Sequence, residues 1–289
     1  MLTAAARARI TVVLVGARNP HNIGAAARAM QDFGFSDLRI VNDYAAPFEA
    51  AQLEAAQAST QIKSAVAAQH VMHSAQRFST LAEAIADCTL IVATTAVGER
   101  EITQPILPLQ QAAPLIHQAL NSSPHSASAQ DPPQDAQHRV ALLFGSEKTG
   151  LTNEQLSHAT LLTTIPMFSP TLAAGEPTRH LSMNLGQSVA VCLYELTRFG
   201  FEHSIELPVL HEAPATAGDR ERLTQLLLDV LHATGYTRRF PANASEPIVR
   251  QLAQQLGASH REAMTWMGIL RQALWRERNE RVTPEDIRA

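Results

Sequence analysis

The sequence predicts an α/β fold built on a mainly parallel sheet, followed by a small helical C-terminal domain. Three observations predict it. Short apolar runs rich in β-branched residues recur through residues 1–201. Helical stretches separate them, as a parallel sheet covered on both faces requires. Beyond a stretch carrying Pro208 and Pro214 the apolar spacing becomes helical throughout. The expected division is residues 1–201, a linker over 202–217, and a helical domain over 218–289. A chain of 289 residues has room for both.

The elements follow in order. ITVVLVG at 10–16 is a continuous apolar strand of the kind buried on both faces. Asn22 is the expected N-cap of the small-residue helix IGAAARAMQDFGF. LRIVN at 38–42 is a second strand. TLAEAIAD at 80–87 is a short helix, with Thr80 and Glu83 at capping-box spacing. LIVATTA at 90–96 is a third strand and 108–120 a helix. RVALLFG at 139–145 and LLTTIP at 161–166 are two more strands, and 182–201 is a long helix. Residues 121–137 (NSSPHSASAQDPPQDAQ) and 168–180 (FSPTLAAGEPTRH) are polar loop insertions with little to bury. In the helical region, Leu223, Leu226, Leu227, Val230 and Leu231 share a face. Ser245 is placed to cap the next helix. Ser259 and Glu262 form a second capping-box pair, and Trp266, Ile269, Leu270, Ala273 and Leu274 make the expected core stripe of the last helix.

Composition narrows the function classes. Hydrophobic residues are 45% and charged residues 17%, which is a globular balance. Two cysteines, Cys88 and Cys192, each lie alone in an apolar segment, which excludes a disulfide scaffold or a Cys-rich zinc site. No apolar run approaches the roughly 20 residues of a spanning helix, and MLTAAARAR lacks a signal-peptide apolar core. A cytoplasmic protein is expected. The net charge is −4, but it is unevenly spread. Residues 218–289 hold 11 Arg against 9 acidic residues, whereas 1–217 hold 12 basic and 18 acidic residues. Of the 23 basic residues only Lys63 and Lys148 are lysines; arginine's planar fork suits phosphate.

Three segments stand at strand ends or helix starts. GSEKTGLT at 145–152 resembles a phosphate loop, but Leu151 follows Gly150 where a P-loop needs Lys. No GxGxxG follows a strand, and no HExxH or GxSxG is present. What remains is a glycine turn with Glu147 in it, at the carboxyl end of a buried strand. NPHNIGAAARAM at 19–30 follows the first strand, and its Gly24 and alanines would allow another backbone close approach. LSMNLGQSVAVCLYEL at 181–196 places Ser182 and Asn184 ahead of an apolar helix. Taken singly, each reads as a capped helix or tight turn.

Taken together and in order, the segments resemble the three signature motifs of the SpoU (TrmH-like) branch of the SPOUT RNA 2′-O-methyltransferases. The first is V-L-V and N-x-G-x-x-x-R-A, carried by Asn22, Gly24, Arg28 and Ala29. The second is F-G-x-E-x-x-G-L, carried by Phe144, Gly145, Glu147, Gly150 and Leu151. The third is S-x-N-x-x-x-S/A-V with Y-E, carried by Ser182, Asn184, Ser188, Val189, Tyr194 and Glu195. Within the branch, GLTNEQL and the helical C-terminal region are similar to the TrmJ group, which methylates the ribose of cytidine or uridine 32 in tRNA.

The resemblance implies a C-terminal trefoil knot in the first domain and a homodimer whose interface includes the third-motif helix. It implies S-adenosylmethionine as methyl donor, with no metal. The cofactor would be held by Thr94, Thr95, Ala96, Gly145, Ile165, Ser182, Met183 and Asn184. The catalytic set would be Arg28, Asn22, Glu147, Ser182 and Asn184. The C-terminal arginines Arg238, Arg239, Arg271, Arg276 and Arg278 would contact tRNA phosphates. Two alternatives are an rRNA 2′-O-methyltransferase of the same branch and a non-catalytic RNA-binding protein on this scaffold. The first commonly carries an N-terminal RNA-binding extension, whereas the first expected strand here begins at Ile10; intact Arg28, Glu147 and Asn184 count against the second.

Overall fold

The structure is a computed structural model that describes residues 2–41, 49–50, 52, 63–96, 104, 106–121, 138–167, 182–199 and 213–280. These fall into two compact units, one holding the described residues up to 199 and the other those from 213 onward. Of the loop expected at 121–137, Asn121 is the last residue of a helix and the rest lies outside the described residues, as do the loop expected at 168–180 and the expected linker up to residue 212.

The first unit is a parallel sheet of seven strands. They are β1 (Ile10–Val15), β2 (Asp37–Val41), β3 (Gln76–Phe78), β4 (Leu90–Thr94), β5 (Ile106–Pro108), β6 (Val140–Phe144) and β7 (Leu161–Thr164). Their order is β3-β2-β1-β6-β4-β7-β5, and every pairing is parallel. Every residue of β1 and β6 is buried. Helices on both faces are the reason, and they explain why those strands read as unbroken apolar runs. β3 and β5, three residues each, sit at the two edges and were not expected.

The helices are α1 (Ala4–Arg7), α2 (Pro20–Phe33), α3 (Lys63–Ser74), α4 (Leu81–Ile85), α5 (Leu109–Asn121), α6 (Asn153–Leu156) and α7 (Leu185–Phe199). Two helix starts differ from expectation. The cap of α2 is Asn19, whose side chain accepts from the His21 N–H, and not Asn22. Pro20 decides this: it has no N–H to satisfy and a φ already suited to the first helical position. Asn22 therefore sits inside the first turn, with its side chain available for other work. Likewise α7 begins at Leu185, so Ser182 precedes the helix. Asn184 stands at the boundary, its side chain accepting from the Gly186 N–H at 2.9 Å. Gly34, at φ 76°, ends α2 in the left-handed conformation that glycine tolerates.

Opposite the strand ends that matter below, the amino-terminal side of the sheet is held by ions. Arg39 on β2 is nearly buried; it donates to Asp87 at 2.5 and 2.9 Å and to Asp37 at 3.2 Å. Arg139, just before β6, pairs with Asp37 and with Asp87. Burial alone would raise the Asp87 carboxyl, but the Arg39 hydrogen bond and the charges of Arg39 and Arg139 outweigh it and hold its pKa below the ordinary carboxylate value. A depressed folded-state pKa stabilises above the unfolded value, near 3.9, and the contribution disappears as pH falls through the folded one. Thermal melts are therefore expected to show Asp87→Asn clearly less stable than the parent at pH 7. The gap closes toward pH 3 and below.

The second unit is helical: α8 (Ala217–Ala233), the short α9 (Tyr236–Arg239), a 3-10 turn at Pro241–Asn243, α10 (Glu246–Leu256) and α11 (His260–Glu280). Leu223, Ala253, Met267 and Leu270 form its core. Asp219 completes a capping box with Thr216 and also accepts from His260 at 3.1 Å, tying the starts of α8 and α11 together. Two expectations hold only in part. Ser245 stands at the N-cap of α10, as expected, but makes no side-chain cap bond. The core stripe of α11 runs through Ala263, Met267, Leu270 and Leu274, while Ile269 is 52% exposed and Ala273 is exposed. Leu270 and Leu274 are buried as expected and Trp266 packs against the core, so the buried face overlaps the expected one but is shifted away from Ile269 and Ala273.

Cys88 and Cys192 are free and buried, and burial pushes both thiols up to about 12. No described helix is long and apolar enough to cross a membrane.

Candidate functional site

The strand order reverses beside β1. From β1 the chain crosses to β2 and β3 on one side, while β6, β4, β7 and β5 lie on the other. The carboxyl ends of β1 and β6 therefore flank a crevice of the kind where open α/β sheets bind ligands. The loops leaving these strands are the first and second motif segments.

Glu147 joins them. The β6 loop doubles back on itself, with a bridge between Ser146 and Gly150 and Gly150 at φ 66°. A Cβ on Gly145 would lie 2.1 Å from the Gly150 carbonyl carbon and 2.2 Å from the Leu151 nitrogen, so only glycine permits this closure. The turn presents Glu147 to the β1 loop. Its carboxylate accepts from the backbone N–H of Arg18 at 3.1 Å and of Asn19 at 3.2 Å, and from the Asn22 side-chain amide at 2.9 Å. Burial alone would raise this carboxyl; the bonds from Asn22, from its own backbone and from Arg18 and Asn19 prevail, and its pKa lies below the ordinary value. Glu147 is an anionic latch here, with its oxygens occupied, and is poorly suited to take a proton.

The third segment joins the same chain of bonds. The Asn184 amide donates to Asn22 Oδ1 at 2.8 Å, while Asn184 Oδ1 accepts from Gly186. Glu147, Asn22 and Asn184, up to 162 residues apart in sequence, thus form one connected network. It depends on the close approach of α2 to α7. A Cβ on Gly186 would lie 2.6 Å from the Ala25 Cβ. Of the residues expected to allow close approach, Gly24 and Ala25–Ala27, Ala25 makes it, against Gly186; a Cβ on Gly24 would meet no described atom within 4 Å.

Gly186→Ala is expected to force α7 away from α2, separate Asn184 from Asn22, and cut activity at least about tenfold. Removing the opposing methyl with Ala25→Gly should restore most of the loss, because the next nearest atoms are 3.3 Å away or more. Assaying the single and double variants checks this, and no rescue would mean the contact is not what matters.

The other expected site residues fall as follows. Thr94, Thr95, Ala96, Gly145 and Ile165 all lie at the carboxyl ends of three neighbouring strands, β6, β4 and β7. Thr94 Oγ1 donates to the Leu143 carbonyl at 2.9 Å, and the Thr95 N–H to the Thr163 carbonyl at 2.9 Å, fixing the β4 end between its neighbours. Ser182 and Met183 precede Asn184 in the non-helical entry to α7, with Ser182 exposed. Arg28 is exposed on α2, six residues and so about 9 Å along the helix axis from Asn22. Of the C-terminal arginines, Arg238, Arg239, Arg271 and Arg276 are exposed on the second unit; Arg278 lies on α11, and its side chain is outside the described set. Among the described residues no group of three or more His, Cys, Asp or Glu is placed to hold a metal. The contributions missed from the sequence are the Arg18 and Asn19 backbone N–H groups and Gly186 as the partner of Ala25. The N–H groups carry no side-chain signal at all.

Comparison with known proteins bears on this site. Residues 9–194 match the SpoU rRNA Methylase family, a span that contains the first two segments and the third as far as Tyr194. The chain is 34% identical over 223 residues to the uncharacterized tRNA/rRNA methyltransferase LasT of Escherichia coli, covering 77% of this chain and 81% of that one. It is 30% identical to the tRNA (cytidine/uridine-2′-O-)-methyltransferase TrmJ of Sodalis glossinidius, over 80% of this chain and 77% of that one. Among solved structures, TrmJ from Z. mobilis ZM4 superposes with a TM-score of 0.64 at 27% identity, covering 91% of this chain and 97% of that one.

Proposed function

The chain belongs to the SpoU rRNA Methylase family, and from that premise we propose that it is an S-adenosylmethionine-dependent tRNA 2′-O-ribose methyltransferase, acting on cytidine or uridine 32. One observation carries the reading: Glu147, Asn22 and Asn184 lock three distant segments around the crevice at the strand ends. The names of the TrmJ relatives support tRNA over rRNA as acceptor.

The residues present fit the cofactor. Three adjacent strand ends with a glycine-only turn offer backbone N–H and C=O groups in one place, the chemistry that an adenine and an amino-acid zwitterion require. Thr94, Thr95, Ala96, Gly145, Ile165, Ser182, Met183 and Asn184 would hold it. When bound, it supplies an electrophilic methyl on a sulfonium.

The protein's own task is to align the ribose 2′-hydroxyl and to manage its proton. Arg28 is a poor base, because a guanidinium stays protonated in proteins. Its role is to fix the phosphate beside the target ribose and stabilise negative charge developing on the hydroxyl oxygen. Asn22, Asn184 and Glu147 hold the loops that set this alignment, and Ser182 lines their entry. No step calls for a metal. The unit is proposed to be knotted through its C-terminal part and to work as a homodimer with α7 at the interface, in the cytoplasm.

Incubating the protein with labelled S-adenosylmethionine in EDTA, with bulk tRNA or rRNA as acceptor, tests the substrate. Label is expected in tRNA; label confined to rRNA would favour the rRNA reading, and none in either would favour a non-catalytic scaffold.

We also propose 1–201, 202–217 and 218–289 as catalytic domain, linker and tRNA-binding domain. The second unit has its own core, and its sequence carries the net positive balance. Deleting 218–289 is expected to leave a folded, cofactor-binding dimer whose tRNA affinity falls at least about tenfold and whose salt dependence weakens. Binding curves at several salt concentrations check this; equal affinity and equal slope would remove the RNA-binding role.

A further inference from the structure

The segment 236–241 (YTRRFP) follows the left-handed turn at Gly235. It places two aromatic rings and two arginines on the surface of the second unit. The Tyr236 and Phe240 rings lie 4.9 Å apart between centroids at an interplanar angle of 42°, and the Phe240 N–H donates to the Tyr236 carbonyl at 2.8 Å. The Arg239 guanidinium lies 5.9 Å from the centre of the Phe240 ring. Arg238 is exposed beside it.

Two features separate this cluster from an ordinary packing staple. Neither ring belongs to the core of its unit, which is built from Leu223, Ala253, Met267 and Leu270; Tyr236 is 36% and Phe240 45% exposed. The surrounding sequence is also free of acidic side chains: between Asp229 and Glu246 there is no Asp or Glu, while Arg238, Arg239 and His232 fall inside that stretch. Exposed rings flanked by guanidinium groups, in a stretch of sequence without carboxylates, match what unpaired bases and their phosphates require. Aromatic faces stack bases of any identity, and arginine neutralises the backbone.

We propose that Tyr236 and Phe240 form a stacking platform for unpaired nucleotides of RNA, with Arg238 and Arg239 holding the adjoining phosphates. This rests on the reading that the substrate is RNA, and it goes further by naming the mode of contact: single-stranded, base-stacked and tolerant of base identity. A double-stranded stem, whose bases are already stacked on one another, does not offer the faces this platform binds.

The test uses the full chain and a fluorescein-labelled, unstructured oligouridylate, with anisotropy titrations at several salt concentrations. Tyr236→Leu with Phe240→Leu keeps apolar bulk at the turn but removes both π-faces. It is expected to weaken single-strand binding at least about fivefold at every salt concentration, leaving the salt slope unchanged. Arg238→Gln with Arg239→Gln is expected to flatten the log–log salt slope by about 1.4, the value for two phosphate contacts on a single strand. An RNA duplex of equal length should bind the leucine variant and the parent equally well.

The proposal is overturned if the leucine variant binds the single strand as tightly as the parent, or loses the same factor for strand and duplex. It is equally overturned if that variant changes only the oligomeric mass, which would make the surface a protein contact. Melting temperatures matched to the parent show that the variants are folded. Because binding is read without methyl transfer, a protein that stacks RNA but methylates none would contradict the enzymatic reading and leave this one standing.

Discussion

Arg28→Ala is expected to reduce methyl transfer by about 10²–10³ or more while leaving S-adenosylmethionine affinity within a few-fold of the parent. The two effects separate because the residues come from different parts of the sheet. The proposed cofactor contacts lie at the ends of β6, β4 and β7 and at the entry to α7, whereas Arg28 projects from the exposed face of α2. A charge that acts mainly on the developing alkoxide and a neighbouring phosphate affects the rate and not the donor's binding. Arg28→Lys should rescue poorly, since an ammonium point charge does not reproduce the bidentate fork. Single-turnover transfer together with calorimetry measures both quantities. Near-normal turnover in the alanine variant would make Arg28 an ordinary surface residue of the helix.

Gly145→Ala is expected to abolish cofactor binding and to destabilise the first unit by about 1–3 kcal/mol. The added methyl carbon would sit 2.1–2.5 Å from the Gly150 carbonyl carbon, the Leu151 nitrogen and the Gly150 oxygen. All three are backbone atoms, so the conflict is relieved only by opening the loop. Opening it withdraws Glu147 from Arg18, Asn19 and Asn22, and the network joining the three segments comes apart. Melting curves and calorimetric titration with S-adenosylmethionine check the two parts separately. Unchanged affinity would show that the 145–151 turn is not part of the cofactor site.

How much of this was legible in the sequence follows from the physics of each feature. β1 and β6 were readable because both of their faces are buried, which leaves an unbroken apolar run. β3 and β5 were not, because three residues at a sheet edge give no periodicity. The capping boxes at Thr80 and Ser259 were visible as local patterns, and both form. Two asparagines flank Pro20 and His21; Asn22 has the residue type of a cap, but the preference of Pro20 for the first helical position points to Asn19. The real partner of Asn22, Glu147, is 125 residues away and leaves no local trace. The resemblance brought Glu147, Asn22 and Asn184 into one set; only the folded chain shows that they bond to one another. The orientation of α11 depended on which neighbours it meets, and apolar spacing alone placed Ile269 inside when it lies at the surface.

The central claim is that the crevice joined by Glu147, Asn22 and Asn184 directs methyl transfer to a ribose hydroxyl. Nucleoside mass analysis of tRNA methylated by the purified protein tests it most directly. The expected product is 2′-O-methylcytidine or 2′-O-methyluridine at position 32, absent when Arg28→Ala is used. A methyl group found on a base, with the ribose untouched, would contradict the account.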